Sequence, residues 1–269
     1  MAPIRGSTMT FKDQVIIITG ASSGIGAELA RQLAAGGARL ALAARRAELL
    51  EEVAADCRQL GGQAVAVPTD ITVPEQCAAL VKRTVDTYGE IDMLINNAGI
   101  SMHALFTDIE DLDIFDRIMR VNYLGAVACT HYALPHLLKA GGRIVVVSSL
   151  TGKAGVPTRT GYAASKHALH GFFDSLRVEL AGSGVSVTIA CPSFVDTGIR
   201  RYHTGPGDSH RKKQARRMPV ERCVRIILRA AERRRREVVM TALGKVGRLV
   251  RPFLPGLIDW VARKKVGRG

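Results

Sequence analysis

From Phe11 onward, short apolar runs alternate with longer segments of helical period. The runs VIIITG (15–20), RLALAA (39–44), AVAVPTD (64–70), IDMLINNAG (91–99), RIVVVSS (143–149) and VSVTIACPS (185–193) are rich in Val, Ile and Ala. They lack the polar alternation of a half-exposed strand, so each reads as a strand buried on both faces. Strands of this kind joined by helical crossovers form a parallel sheet with helices on both sides. The pattern therefore predicts an α/β fold with a doubly wound parallel sheet.

One helical segment carries an unusual stripe. In GYAASKHALHGFFDSLRVEL (161–180), Tyr162, Lys166, Leu169, Phe173, Leu176 and Leu180 are spaced 4, 3, 4, 3, 4 and share one face. A phenol and an amine one turn apart on an inward face mark either a core rim, with the lysine snorkelling past, or a site. A free tyrosine has a pKa of about 10, and a neighbouring cation lowers it toward the range useful for proton transfer.

The first strand runs into TGASSGIG (19–26), which opens a helix. Its glycines, Gly20, Gly24 and Gly26, are spaced G-x-x-x-G-x-G rather than G-x-G-x-x-G. They permit a tight turn and close backbone approach, and with Ser22, Ser23 and Ile25 they would present a helix N-terminus to a pyrophosphate. A glycine turn between strand and helix also occurs as a turn alone. At the end of the second strand, where NAD-binding sheets place an acidic residue, stand Arg45 and Arg46. A guanidinium matches a phosphate in shape and charge, which favours NADP(H) over NAD(H), unless both arginines merely begin a solvated helix.

At 269 residues and 47% hydrophobic composition, the chain suffices for one core. The organisation expected is a flexible leader at 1–10, a dinucleotide-binding catalytic domain at 11–240 with a substrate loop near 198–217, and a basic amphipathic extension at 241–269. The apolar runs are too short to span a bilayer and the N-terminus lacks a secretory signal, so a cytoplasmic protein is expected. Five scattered cysteines without a CxxC pair point to reduced thiols and no metal site. Charge is unevenly placed: residues 1–200 carry 18 Lys+Arg against 19 Asp+Glu, whereas 201–269 carry 20 against 5, a net of +15. The basic last quarter suits a surface drawn to anions.

Taken together, TGASSGIG (19–26), NNAG (96–99), VN (121–122), SS (148–149) and YAASK (162–166) resemble the short-chain dehydrogenase/reductase family over about residues 11–200. Within it, VVVSSLTGKAG and the helix 162–180 are similar to the lipid- and steroid-type branch that includes the 11β-hydroxysteroid dehydrogenases. The resemblance implies a Rossmann fold and hydride transfer between a nicotinamide and a carbonyl or secondary alcohol. It casts Tyr162 as general acid or base, Lys166 as its cation and a ligand of the nicotinamide ribose, Ser149 as the holder of the substrate oxygen, and Asn122 as the anchor of a proton-relay water. For the cofactor it implies Asp70 and Ile71 around the adenine, Asn97, Ala98 and Gly99 along the ribose, and Val195 with Thr197 at the carboxamide and phosphates. Ser193 stands where the family commonly has glycine. Ser148 lies one residue off the family spacing, and His103, His131, His136, His167 and His170 receive no role.

The expected substrate is a small molecule, a medium-to-large apolar carbonyl compound or alcohol, and the expected assembly is a homodimer or homotetramer paired through helices near 112–138 and 162–181. Two other readings stand beside it: a 3-oxoacyl thioester reductase whose acidic carrier docks on the basic quarter, and a non-catalytic NADP(H)-sensing scaffold. Leu249, Phe253, Leu254, Leu257, Ile258 and Trp260, interleaved with Arg and Lys, would either meet an anionic membrane peripherally or pack on the domain or a sister subunit. No nucleic-acid-binding module accompanies the basic runs, so nucleic acid is not an expected partner.

Overall fold

The computed structural model describes residues 11–196, 203–204, 217–250, 253–256 and 259–260. The six expected strands form as β1 (Val15–Thr19), β2 (Arg39–Ala44), β3 (Gln63–Pro68), β4 (Met93–Asn96), β6 (Arg143–Val147) and β7 (Ser186–Cys191). Between them lie α1 (Gly24–Ala35), α2 (Ala47–Gln59), α3 (Pro74–Tyr88), α4 (Asp113–Met119), α5 (Gly125–Ala140) and α6 (Thr160–Glu179). A two-residue β5 (Ser101–Met102) pairs with β8 (His203–Thr204) in a small separate sheet. After it come α7 (Val220–Glu232), β9 (Glu237–Val239) and α8 (Ala242–Val250).

The main sheet has the order β3-β2-β1-β4-β6-β7-β9, every pair parallel. Strand alternation divides the core. Ile16 and Ile18 of β1 face α1, α2 and α7, while Ile17 faces α3, α5 and α6. Both faces are covered, which is why the strands are apolar throughout. β9 is a seventh strand that the sequence reading did not anticipate: three residues behind an arginine run carry too little periodicity to be recognised.

The basic last quarter is partly structural. Helix α7 buries Cys223, Val224, Ile227 and Leu228 against α1 and exposes Arg222, Arg225 and Arg229. In the run 233–236, Arg234 donates to the carbonyls of Gly184 (2.5 Å) and Gly141 (2.8 Å), satisfying carbonyls in the turns that follow α6 and α5. Beyond α8, Phe253, Leu254 and Trp260 are exposed. Leu257, Ile258, the side chain of Leu249, Thr197 and most of the expected loop at 198–217 lie outside the described residues.

Candidate active site

Strand order reverses between β1 and β4, and crossovers leaving toward opposite faces open a crevice there. At that edge the chain forms a cavity of about 730 Å3. The β1–α1 turn lines one end; Ser149, Tyr162 and Lys166 line the other.

The nucleotide end is built on backbone. Gly20 has φ +65°, and a Cβ at Gly26 would fall 2.2 Å from the Gly20 carbonyl oxygen, so turn and helix meet too closely for any side chain. Ser23, at the N-cap of α1, places no side-chain hydrogen bond on the first turn, which leaves those amides to a ligand. Thr19, a residue the sequence reading did not single out, ties the turn to the sheet. Its hydroxyl accepts from the amides of Asn97 (3.0 Å) and Ala98 (3.1 Å) and donates to the Ile95 carbonyl (3.3 Å). Asn97 reciprocates from its side chain, donating to the Thr19 carbonyl at 2.9 Å. Arg46 donates to the hydroxyls of Ser22 (3.0 Å) and Ser23 (3.3 Å) and, with Arg45, lines the cavity wall. Asp70 and Ile71 line the same end; the Asp70 carboxylate caps its own turn by accepting from Thr72. Ser193 and Val195 also reach the cavity.

At the other end four segments converge. Between α4 and α5 the helix loosens into a π turn, Arg120–Leu124, which holds Asn122. Such a turn inserts one residue and redirects the side chains around it. Buried Asn122 accepts from the Ile100 amide (2.8 Å) and donates to the Ile100 carbonyl (3.0 Å) and to Ser165 Oγ (2.9 Å). Ser165 in turn donates to the Tyr162 carbonyl at 2.9 Å, linking Asn122 to α6. The expected stripe of α6 is buried, and Lys166 Nζ donates to the Val147 carbonyl at 3.0 Å. Ser149 accepts from the Thr151 amide at 3.2 Å, donates to the Thr151 hydroxyl at 3.2 Å, and lines the cavity with Tyr162. Ser148 turns instead to His170, with Oγ and Nε2 3.1 Å apart, so the neighbouring hydroxyls serve different partners.

The sequence pattern of the short chain dehydrogenase family matches residues 14–205. The chain belongs to this family. It is 35% identical over 262 residues to a dehydrogenase/reductase SDR family protein 7-like from Dictyostelium discoideum, covering 95% of this chain and 82% of that one. To 11-beta-hydroxysteroid dehydrogenase 1A of Arabidopsis thaliana it is 37% identical over 261 residues, covering 93% and 74%. In fold it matches a short-chain dehydrogenase/reductase of Burkholderia phymatum, solved in complex with NAD, with a TM-score of 0.82 at 24% identity, covering 93% of this chain and 96% of that one. As a short-chain dehydrogenase the chain is an oxidoreductase acting on CH–OH groups.

The electrostatics of this dehydrogenase set the phenol apart from a free tyrosine. In the protein alone, burial raises the Tyr162 pKa above the usual 10. The neighbouring Ser149 hydroxyl and the charge of Arg159 oppose that rise. Burial also takes Lys166 from 10.5 down to about 8, so its amine holds its proton weakly. Arg159 escaped the sequence reading because nothing in its local pattern marks it. It lies on the cavity wall with its guanidinium 5.8 Å from the Tyr162 ring centre. Burial, with the nearby Lys153 cation, pushes His170 down to about 4, so this core histidine is neutral at neutral pH.

Proposed function

We propose that the protein is an NADP(H)-dependent reductase, or reversible alcohol dehydrogenase, acting on an apolar carbonyl compound, with Tyr162 as its acid and base. The observation that carries this reading is one continuous cavity with Arg45 and Arg46 at one end and Ser149, Tyr162 and Lys166 at the other. The residues present fit a nicotinamide dinucleotide: Gly20 and Gly26 admit no side chain where turn and helix meet, which suits backbone contact with a pyrophosphate. When bound, the cofactor supplies or accepts the hydride. Arg46 and Arg45 would take the phosphate on its adenosine ribose, Asp70 and Ile71 would flank the adenine, and Asn97, Ala98 and Gly99 would line the ribose.

In reduction, Ser149 would donate a hydrogen bond to the substrate oxygen while Tyr162 protonates it; in oxidation Tyr162 would take that proton back. Lys166 and Asn122 would stand behind Tyr162: the amine orients the nicotinamide ribose, and Asn122 anchors the water chain that refills the proton. The apolar walls from Leu150, Val156, Val246 and Val250 suit a lipid- or steroid-like substrate, in keeping with the names of the relatives. Exposed Leu124, Leu138 and Val178 on and beside α5 and α6 suit subunit contacts in a homo-oligomer, to be checked by light scattering. Exposed Phe253, Leu254 and Trp260 in the basic extension suit peripheral contact with an anionic bilayer. Among the described residues no helix is long and apolar enough to cross a membrane. Co-sedimentation with anionic but not neutral vesicles tests that contact.

The deciding experiment is NADPH consumption against lipophilic ketones, aldehydes and 3-oxoacyl thioesters, with NADH as cofactor control and Tyr162→Phe in parallel. Turnover of one class with NADPH, lost by at least about 100-fold in Tyr162→Phe with cofactor affinity retained, supports the reading. Cofactor binding without any turnover would replace it with the sensor reading.

A further inference from the structure

Two cations stand near the Tyr162 ring, and they differ in kind. Lys166 Nζ lies 5.7 Å from the ring centre, is buried, and donates to the Val147 carbonyl. An amine so desolvated gives up its proton at mildly alkaline pH, and the field it exerts on the phenol fades with it. The guanidinium of Arg159, with its carbon 5.8 Å from the same ring centre, keeps its charge at every working pH. Its Nη1 donates to the buried hydroxyl of Ser101 at 3.0 Å, which fixes it against the cavity wall.

Helix stability does not account for a cation at this position. Arg159 is the N-cap of the 20-residue α6 and makes no side-chain capping bond. The positive end of the helix dipole favours anions there, so an arginine is the less stable choice. A local rule broken beside a candidate site points to a functional requirement.

We propose that Arg159 is a positioning residue of the active site, holding a permanent positive charge beside the Tyr162 phenol and so favouring its ionised form. The inference rests on the reading of Tyr162 as acid and base. Other charged groups on the elements packed around α6 are worse placed. Asp113, Asp116 and Arg117 of α4 and Arg120 of the π turn are exposed, with Asp116 and Arg120 paired to each other. Lys153, beside Ser149, is paired with Glu237, and His103, past β5, is partly buried. His167 turns Nδ1 to the Ala163 carbonyl, His170 faces Ser148, and Cys191 of β7 sits beside His170 rather than Tyr162.

The test is the pH dependence of kcat/KM for alcohol oxidation in wild type, Arg159→Met and Arg159→Lys, together with ultraviolet absorbance titration of tyrosinate in the cofactor-free proteins, each referenced to Tyr162→Phe. With solvent in the cavity giving an effective dielectric constant of about 40–80, a unit charge about 6 Å from the ring centre moves the midpoint by roughly 0.5–1 pH unit. The expected result is an alkaline displacement of that size for Arg159→Met, at least half recovered in Arg159→Lys, with dinucleotide affinity unchanged. Should Arg159→Met fail to fold, Ser101→Ala, which only loosens the tether, should displace the midpoint in the same direction by less. An unmoved midpoint in both measurements, or a lysine variant displaced as far as the methionine one, overturns the proposal. Turnover that survives Tyr162→Phe would instead overturn the reading of the site.

Discussion

Replacing Lys166 with methionine should make the cofactor-free protein more stable at neutral pH while removing its activity. Lys166 is 4% exposed, and burial lowers the pKa of its amine from 10.5 to about 8. Below pH 8 the amine is charged in both states, and keeping it charged inside the fold costs about 3 kcal/mol, the equivalent of that pKa difference. Methionine has a similar shape and no charge to desolvate, but it leaves the Val147 carbonyl without its donor, a loss of about 1 kcal/mol. The net expectation is a gain of about 2 kcal/mol at pH 7, or a Tm higher by roughly 4–8 °C for a chain of this size. The sign with pH follows from linkage. Between pH 8 and 10.5 the unfolded chain binds the proton more tightly than the folded one, so wild-type stability rises with pH in that window. The advantage of Lys166→Met should therefore shrink from pH 8 to pH 10.5, and at the upper end the lost hydrogen bond should leave it no more stable than wild type. Denaturant unfolding of both proteins at pH 7, 9 and 10.5 measures this. A methionine variant less stable at pH 7, with a difference indifferent to pH, would refute the argument that charge burial dominates at this position.

Thr19→Val should cost about 2–3 kcal/mol, since two amides lose their acceptor inside the fold; it should also raise the KM for the dinucleotide, both readable by unfolding and initial-rate measurements. Arg46→Glu should place a carboxylate at the end of β2 and shift the NADPH to NADH ratio of kcat/KM by at least about 10-fold toward NADH. An unaltered ratio would show that Arg46 serves the Ser22–Ser23 turn and not a phosphate.

How much of this was legible beforehand depended on the reach of each interaction. Six strands announced themselves because burial on both faces demands continuous apolar residues within each short run. The α6 stripe was legible for a similar reason: helical period alone places Tyr162 beside Lys166 and aims both at Leu169 and Phe173. Asn122 was visible as a candidate, whereas the π turn that holds it was not, because its bonds go to Ile100 and Ser165, 22 and 43 residues away. The arginine run 233–236 looked like a charged surface. Its Arg234 proves to cap the carbonyls of Gly141 and Gly184, a contact no local pattern could announce.

The sequence by itself determined the alternation of strand and helix, the glycine turn and the order in which the site residues are met, since each is written in the φ freedom, period or chemistry of neighbouring residues. Tertiary structure alone decided which groups surround the phenol. It brought Arg159 to the Tyr162 ring, tethered it to Ser101, placed Thr19 under the Asn97–Ala98 backbone, and buried Lys166 deeply enough to weaken its hold on a proton. Electric fields and desolvation depend on distances through space, and those distances exist only once the sheet has closed.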